Sequence, residues 1–179
     1  MAKLTRHSVD LSAIDRPGLH LAAAPNMSLV RAQIRDQSAL KSLENRLNID
    51  LPVLGGVVTS GDIAAFCVSP EEWVFIAPDD GSDALSNIIS STLSGTFSLV
   101  VDISHAATIL IIAGEQALDM LNAHCPLDLR GGHFSAGCCA RSSFGATDII
   151  VARIGPSERY LLVIDQTMAS YIFRLMTGG

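Results

Sequence analysis

Apolar and polar residues alternate along much of the chain, and this alternation predicts most of its strands. It is strict in Val30–Arg35, as expected for a strand with one solvent-facing side. Ile63–Ser69 and Trp73–Ala77 are separated by the turn residues Pro70 and Glu71, so they predict a hairpin. Further strands are predicted at Phe97–Ile103, Thr108–Ala113, Cys138–Phe144, Asp148–Ile154 and Tyr160–Asp165.

Apolar residues spaced three and four apart predict four helices between these strands. The first follows the N-cap candidate Asp36, the second ends near Gly95, and the third begins after Gly114. The apolar positions of the four helices are, in chain order, Leu40, Leu43 and Leu47; Leu85, Ile88, Ile89 and Leu93; Ala117, Leu118 and Leu121; and Met168, Tyr171, Ile172, Leu175 and Met176.

The second half of the chain repeats the first at an offset of 78 residues. The matched pairs are Ile34 with Ile112, Leu40 with Leu118, Leu43 with Leu121, Leu47 with Cys125, Ile49 with Leu127, Asp50 with Asp128 and Leu51 with Leu129. The preceding strand follows more loosely, with Leu19 over Phe97 and Leu21 over Leu99. A chance likeness between amphipathic segments is the alternative. The repeat predicts a duplicated α+β unit of two strands, a helix, two or three strands and a helix, packed as two pseudo-symmetric halves.

This organisation predicts one folded domain preceded by an arm. Residues 1–17 are polar and lack sustained periodicity, which is typical of a mobile or partner-ordered segment. Residues 18–179 are expected to form a single α+β domain, with one half at 18–95 and the other at 96–179.

Composition and charge exclude several classes of function. The 179 residues are 49% hydrophobic and only 17% charged, so the chain is expected to fold rather than remain disordered. The net charge of −6 argues against a nucleic-acid partner, which needs a basic surface. The basic residues are nearly all arginine, and interfaces are depleted in lysine. A protein partner is one explanation, and a genome that favours arginine codons is the other.

Neither a membrane span nor a secretory signal is visible in the sequence. The best apolar run, Ala106–Ala113, is far shorter than the roughly 20 residues that a bilayer requires. We therefore expect a cytoplasmic protein that does not bind membranes. Its four cysteines are then expected to be reduced thiols, at positions Cys67, Cys125, Cys138 and Cys139.

Two groups of residues suggest catalysis or metal binding, but their spacing favours structural roles. Asp102, Ser104 and His105 are the residue types of a catalytic triad, yet on a strand the histidine points away from the other two. A strand-end turn, with Asp102 or Ser104 bonding backbone groups, is the favoured interpretation. The potential metal ligands lack zinc-module spacing, and the cysteines among them are interpreted mainly as core residues. The five are His124, Cys125, His133, Cys138 and Cys139.

The glycine and acidic pairs are also interpreted structurally. Gly55-Gly56 and Gly131-Gly132 lie outside any phosphate-binding pattern and predict turns. Glu71-Glu72, beside Trp73, is interpreted as a solvated turn rather than as a pair of catalytic acids. The sequence thus predicts no catalytic, cofactor-binding or metal-binding residue.

Several motifs, in this order, resemble one family. They are Ser69–Pro78, Val101–His105, Gly114–Leu121, Cys125–Leu129, Phe134 and Gly137. Together they resemble the gamma subunit of heterotetrameric sarcosine oxidase, over a region from about residue 65 to the C-terminus. Asp102-x-Ser104-His105 followed by Gly114-x-x-Ala117 also resembles the folate-binding fold of glycine-cleavage aminomethyltransferase. That fold is a duplicated α+β unit, in agreement with the repeat.

The resemblance implies a non-catalytic subunit that stabilises or assembles larger ones. In that family an alpha subunit carries NAD, FAD and a folate-binding region, a beta subunit carries FAD and covalent FMN, and a delta subunit carries zinc. The gamma-type chain is expected to bind none of these. The assembly converts sarcosine to glycine, passing the methyl carbon to tetrahydrofolate and the electrons to oxygen.

Other assignments remain open. The stretch Asp165–Ser170 departs from the Arg-Ser-Phe-Ala-like start of the family's last helix, so the substrate is left undetermined. A gamma-like subunit of N-methylglutamate dehydrogenase is one alternative. A free-standing folate-dependent aminomethyltransferase-like protein is a second, although such proteins are usually longer. A structural adaptor of another complex is a third.

Overall fold

The computed structural model describes residues 11–79, 84–155 and 158–178. The strands of these residues are β1 (Ile14–Arg16), β2 (Leu19–Ala24), β3 (Met27–Ile34), β4 (Val57–Ser60), β5 (Ile63–Ser69), β6 (Glu72–Pro78), β7 (Ser98–Asp102), β8 (Ala107–Ala113), β9 (Cys139–Phe144), β10 (Thr147–Arg153) and β11 (Arg159–Asp165). The helices are α1 (Gln37–Leu47), α2 (Ala84–Thr92), α3 (Ala117–Asn122) and α4 (Ala169–Thr177), the last preceded by a 3-10 turn at Gln166–Met168. None of these helices is long and apolar enough to cross a membrane.

Two antiparallel sheets contain all of these strands. The N-sheet has the order β4-β5-β6-β3-β7, and the C-sheet has the order β1-β2-β8-β11-β10-β9. Read from its β9 edge, the C-sheet follows the same sequence of equivalent strands as the N-sheet, with β2 in the place of β7. The predicted α+β fold, built from a duplicated unit as two pseudo-symmetric halves, is confirmed.

The two halves exchange their first strands, which the repeat alone did not predict. Strand β2 pairs with β8 in the C-sheet, and β7 pairs with β3 in the N-sheet. Each sheet is therefore completed by a strand from the other half of the chain.

Three apolar clusters arrange the molecule in four layers. One cluster fills the space between the N-sheet and helices α1 and α2, and another lies between the C-sheet and helices α3 and α4. The third joins the inner faces of the two sheets, with Leu29 and Phe66 on one side and Ile109 and Val163 on the other. The order is thus helix, sheet, sheet, helix.

Within the central part of each half, the offset of 78 residues identifies equivalent core positions. Ile34 and Ile112 are fully buried on the helix-facing sides of their sheets, and Leu43 and Leu121 are fully buried on α1 and α3. Helix α1 is capped by Asp36, whose carboxylate accepts a hydrogen bond from the Ser38 N–H at 2.8 Å. Helix α3 has no side-chain cap.

The first strands follow a different offset, so the predicted match of Leu19 with Phe97 and Leu21 with Leu99 is wrong by one residue. Leu21 lies opposite Ile112, whereas Ser98 lies opposite Ile34, the equivalent of Ile112. A shift of one residue turns every side chain to the other face of a sheet. Phe97 and Leu99 therefore face away from the helices, whereas Leu19 and Leu21 are buried beneath α3 and α4.

The ordered chain begins earlier than the sequence predicts. Residues 14–16 of the predicted arm form β1, which pairs with β2. Leu11 and Ile14 pack against the C-sheet cluster. Residues 1–10 of the arm lie outside the described residues.

Candidate functional site

The residues of the triad-like motif are held apart, and Ser104 has a structural role. The Ser104 hydroxyl accepts a hydrogen bond from the Leu29 N–H at 2.8 Å and donates to the Leu29 carbonyl at 3.3 Å. Asp102 accepts a hydrogen bond from the Ser104 N–H at 2.9 Å, while His105 lies exposed beyond them. These hydrogen bonds join the loop after β7 to the start of β3. They agree with the interpretation of the motif as a turn at the end of a strand.

The five potential metal ligands are distributed over several environments. The His124 ring packs against Phe144, with the ring centroids 5.2 Å apart. Cys125 donates to the Ser142 hydroxyl at 3.4 Å, and Cys138 contacts Ser135. His133 lies on the surface loop, with Nε2 3.9 Å from a carboxylate oxygen of Asp128. Within residues 11–79, 84–155 and 158–178, His, Cys, Asp and Glu form no group of three suited to a metal ion.

Cys139 occupies the seam between the two sheets. Its thiol contacts the carbonyl oxygens of Gly56 at 3.2 Å and Cys67 at 3.5 Å. Burial raises the pKa of the Cys139 thiol to about 12 and also raises the pKa of Cys67. Both thiols therefore stay protonated near neutral pH and are poor nucleophiles.

The Gly55-Gly56 turn fastens the same seam. Gly55 has a φ of 79°, and its N–H donates to the Cys67 carbonyl at 2.9 Å while its carbonyl accepts from the Cys139 N–H at 2.7 Å. Gly56 pairs with Cys138 in an isolated bridge. The turn thus connects β5 of the N-sheet with β9 of the C-sheet. Gly131-Gly132 forms an exposed turn on the other half.

Glu72 is buried, so its interpretation as part of a solvated turn is wrong. Its side chain contacts Arg31 of the N-sheet at 2.6 Å and Arg141 of the C-sheet. The contact with Arg31 is a charge interaction, since the Arg31 Nε–H forms no aligned hydrogen bond in the described residues. Glu71 does lie at the surface, where it accepts a hydrogen bond from Arg35 at 2.8 Å. Glu72 therefore links the two sheets electrostatically.

Strand β7 and the residue before it present a row of exposed apolar side chains, defined here as the β7 stripe: Phe97, Leu99 and Val101. Their side chains are 80%, 53% and 39% exposed. Phe97 and Leu99 also line a groove of about 370 Å³ together with Gln33 and Arg35. Exposed apolar side chains that lie together are typical of surfaces that bind another protein.

The equivalent strand of the other sheet is covered over its first three residues, Leu19–Leu21. Strand β1 pairs with β2 through Ile14 opposite Leu21 and Arg16 opposite Leu19. Within the described part of the chain, the N-sheet order ends at β7, and no strand takes the position that β1 takes beside β2. The β7 stripe and the adjoining strand edge therefore form the candidate functional surface.

Comparison with protein-family models decides the family. The model described as "Sarcosine oxidase, gamma subunit family" matches residues 31–178, which is most of the chain. The chain belongs to the sarcosine oxidase gamma subunit family. No match was found among curated protein sequences.

Solved structures show the same fold in proteins of low sequence identity. A chain of the heterotetrameric sarcosine oxidase from Corynebacterium sp. U-96, in complex with pyrrole 2-carboxylate, matches with a TM-score of 0.79 and 17% identity, over 89% of this chain and 84% of that chain. Aminomethyltransferase T of the glycine cleavage system from Bartonella henselae matches with a TM-score of 0.71 and 14% identity, over 91% of this chain. This chain spans 46% of that protein.

The motifs that resemble the gamma-subunit family form strands and turns, and the structure does not bring reactive side chains together in them. Ser69–Pro78 forms β6 and the end of β5, and Val101–His105 contains the Ser104 fastening. Neither the exposure of the β7 stripe nor the burial of Glu72 follows from the pattern of apolar and polar residues. The alternation of Phe97, Leu99 and Val101 indicated a strand, but only the pairing register reveals which face those residues occupy.

Proposed function

We propose that this chain is the gamma subunit of a flavin-dependent assembly that oxidises sarcosine or a related N-methyl amine, and that it stabilises the larger subunits without catalysing the reaction. The family match over residues 31–178 carries the proposal. Two structural observations support a binding role without catalysis. The hydroxyl of Ser104 and the thiol of Cys139 contact backbone groups, and the β7 stripe is exposed.

The proposal assigns the cofactors to other subunits of the assembly. FAD, FMN, NAD, tetrahydrofolate and zinc would be bound by alpha, beta and delta subunits, as the sequence resemblance implies. Two observations on the described residues support this assignment. The Gly55 N–H already donates to Cys67 and is not available to a phosphate, and the potential metal ligands are dispersed.

The proposal is tested by purifying the tagged chain gently from its own cells, with native mass spectrometry and a visible absorption spectrum. We expect a stoichiometric yellow complex with larger flavin-bearing subunits, and oxygen consumption that depends on an added N-methyl amine. Sarcosine and N-methylglutamate, tested side by side, distinguish the sarcosine oxidase from the related dehydrogenase. A stable, colourless monomer would contradict the proposal.

A free-standing folate protein is the second candidate, because the fold also matches an aminomethyltransferase. Titration of the isolated chain with tetrahydrofolate, followed by intrinsic Trp73 fluorescence or calorimetry, separates the two. Stoichiometric binding by a colourless monomer would favour the folate protein. The gamma-subunit proposal predicts no saturable binding to the isolated chain.

A further inference from the structure

Arg31 and Arg141 are far apart in the sequence but meet between the two sheets. They share the inner faces of their sheets with Leu29 and Cys139, which belong to the cluster that joins the sheets. Each contacts the same carboxylate oxygen, Oε1 of Glu72. Glu72 is 4% exposed, whereas the side chains of Arg31 and Arg141 are 41% and 47% exposed. A buried negative charge is thus shared by two positive charges that remain in contact with solvent.

The two guanidinium groups retain donors that the protein does not use. Arg141 donates to Glu72 through Nη2, and Arg31 approaches it through Nε. In the described part of the chain, the Nη groups of Arg31 and the Nε and Nη1 groups of Arg141 donate no hydrogen bond. Each guanidinium presents its donors as a planar fork that matches the oxygens of a carboxylate or phosphate. Because both groups contact one oxygen atom, a second anion can reach both.

We propose that Arg31 and Arg141 form a binding site for a carboxylate, which lies against the donors that Glu72 leaves free. Two arginines and one glutamate carry a net charge of +1, and like charges held side by side repel each other. One more carboxylate neutralises the group. A phosphate monoester carries nearly two negative charges at neutral pH and exceeds what the group needs, so the carboxylate is the better match.

The neighbouring side chains favour a carboxylate that is attached to an apolar group. Val101 lies opposite Arg31 on the same face of the N-sheet and is 39% exposed. Cross-strand neighbours on one face pack against the same ligand or side chain. Arg141 lies opposite Ile150, and Asp148 follows on the same face of β10. In the described residues, Asp148 forms no ion pair with either arginine.

Titration of the isolated full chain with sodium butyrate at pH 7 tests the site directly. Sodium chloride holds the ionic strength constant, and the Nε–H signals of the arginines are followed by nuclear magnetic resonance. We expect saturable shifts at Arg31 and Arg141 and none at Arg130, whose donors are already taken by Asp128. Acetate is expected to shift the same signals with weaker binding, because it lacks the methylene groups that would contact Val101.

A substitution with a matched control separates the site from general charge effects. Arg141→Gln is expected to weaken butyrate binding at least about tenfold, since it removes one of the two charged donors. Arg130→Gln removes the same charge from a surface loop and is expected to change the affinity less than about twofold. Arg141→Lys keeps the charge beside Glu72 but loses the planar fork, so its affinity is expected to lie between the two. Shifts that do not saturate, or equal affinities of Arg141→Gln and the unmodified chain, would overturn the inference.

The carboxylate comes either from a small free acid or from an acidic side chain of a larger subunit, and assembly distinguishes these sources. The two glutamine variants are expressed with their own larger subunits, and the recovered flavin absorbance is compared. A selective loss with Arg141→Gln assigns the carboxylate to a subunit, and equal recovery assigns it to a free acid. If the unmodified chain recovers no flavin-bearing partner, the proposed function fails, while the butyrate titration still decides the site.

Discussion

The strands β2 and β7 hold equivalent places in the two sheets but differ in what surrounds them. Strand β2 lies between β1 and β8, with Leu19 and Leu21 buried beneath helices. Strand β7 lies beyond β3, with Phe97 and Leu99 exposed on the opposite face. The pairing of this strand with the central strand of the other half is therefore the same in both sheets, but β2 and β7 have different neighbours on their outer sides.

The difference between the two edges arises from one residue of register and from three residues of β1. The register decides which face receives the large apolar side chains, because side chains alternate along a strand. The presence of β1 decides whether the outer backbone groups are paired. Together they leave the first half of β2 paired on both sides, whereas β7 is paired on one side within the described residues.

The shared core should show no difference between the halves. Leu43→Ala and Leu121→Ala each remove a fully buried side chain, and each is expected to lower the free energy of unfolding by roughly 2–5 kcal/mol. Urea denaturation of the isolated chain measures both. A loss below about 1 kcal/mol at both positions would contradict the equivalence of these core sites.

The exchanged strands should respond unequally to the same substitution. Leu21→Ala empties a buried position and is expected to cost roughly 2–4 kcal/mol in the isolated chain. Leu99→Ala trims a half-exposed side chain and is expected to cost less than about 1 kcal/mol. Equal losses, measured in the same urea titration, would show that the β7 stripe is buried in the isolated chain.

The electrostatic link between the two sheets should depend on Glu72 and not on the adjacent Glu71. Glu72→Gln leaves Arg31 and Arg141 without their shared carboxylate and is expected to cost about 1–3 kcal/mol, since both arginines remain half-exposed and partly hydrated. Glu71→Gln, the matched control, is expected to cost less than about 0.5 kcal/mol because its ion pair with Arg35 is exposed. Similar effects of both substitutions would contradict the burial of Glu72.

The smallest effect concerns the cap of α1, which α3 lacks. Hydrogen bonds from the Ser38 hydroxyl and N–H lower the pKa of Asp36 below its ordinary value of 3.8. A carboxyl whose pKa is lowered by folding contributes stability above its unfolded pKa, and that contribution is lost as the pH falls through the folded pKa. Asp36→Ala should slightly lower the Tm at pH 7, with a smaller difference from the unmodified chain at pH 3.

The control for the cap is Asp36→Asn, which keeps the side-chain oxygen that accepts the Ser38 N–H. We expect its Tm at pH 7 to lie between those of the unmodified chain and Asp36→Ala. A Tm difference between the unmodified chain and Asp36→Ala that does not shrink at low pH would contradict the contribution of the charge.

Local pattern was sufficient to predict most elements and the duplication. The hairpin around Pro70 and Glu71 and the helices after Asp36 and Gly114 were predicted, because periodicity and turn chemistry are properties of short segments. Strand β1 was missed since its three residues are too few to show alternation. Its existence depends on the edge of β2, which is a tertiary feature.

The burial of Glu72 and the exposure of the β7 stripe could not be derived from the sequence, because both depend on contacts between distant parts of the chain. Burial of Glu72 depends on Arg141, which is close in space but lies in the other half of the chain. Likewise, the strand exchange and the one-residue shift between Leu21 and Ser98 concern pairings across the two halves. Hydrophobic periodicity reports that a strand has an apolar face, but not whether another element covers it.

The exchange of first strands also determines the order in which this protein can be completed during synthesis. Strands β3 and β6 can pair early, but β2 must wait for β8, which emerges from the ribosome much later. Pairings between residues distant in sequence form slowly, because the loop between them must first be closed. Neither half can therefore finish folding alone. The N-sheet can be completed by β7 before the C-sheet receives β9, β10 and β11, so a nascent chain finishes its two sheets one after the other.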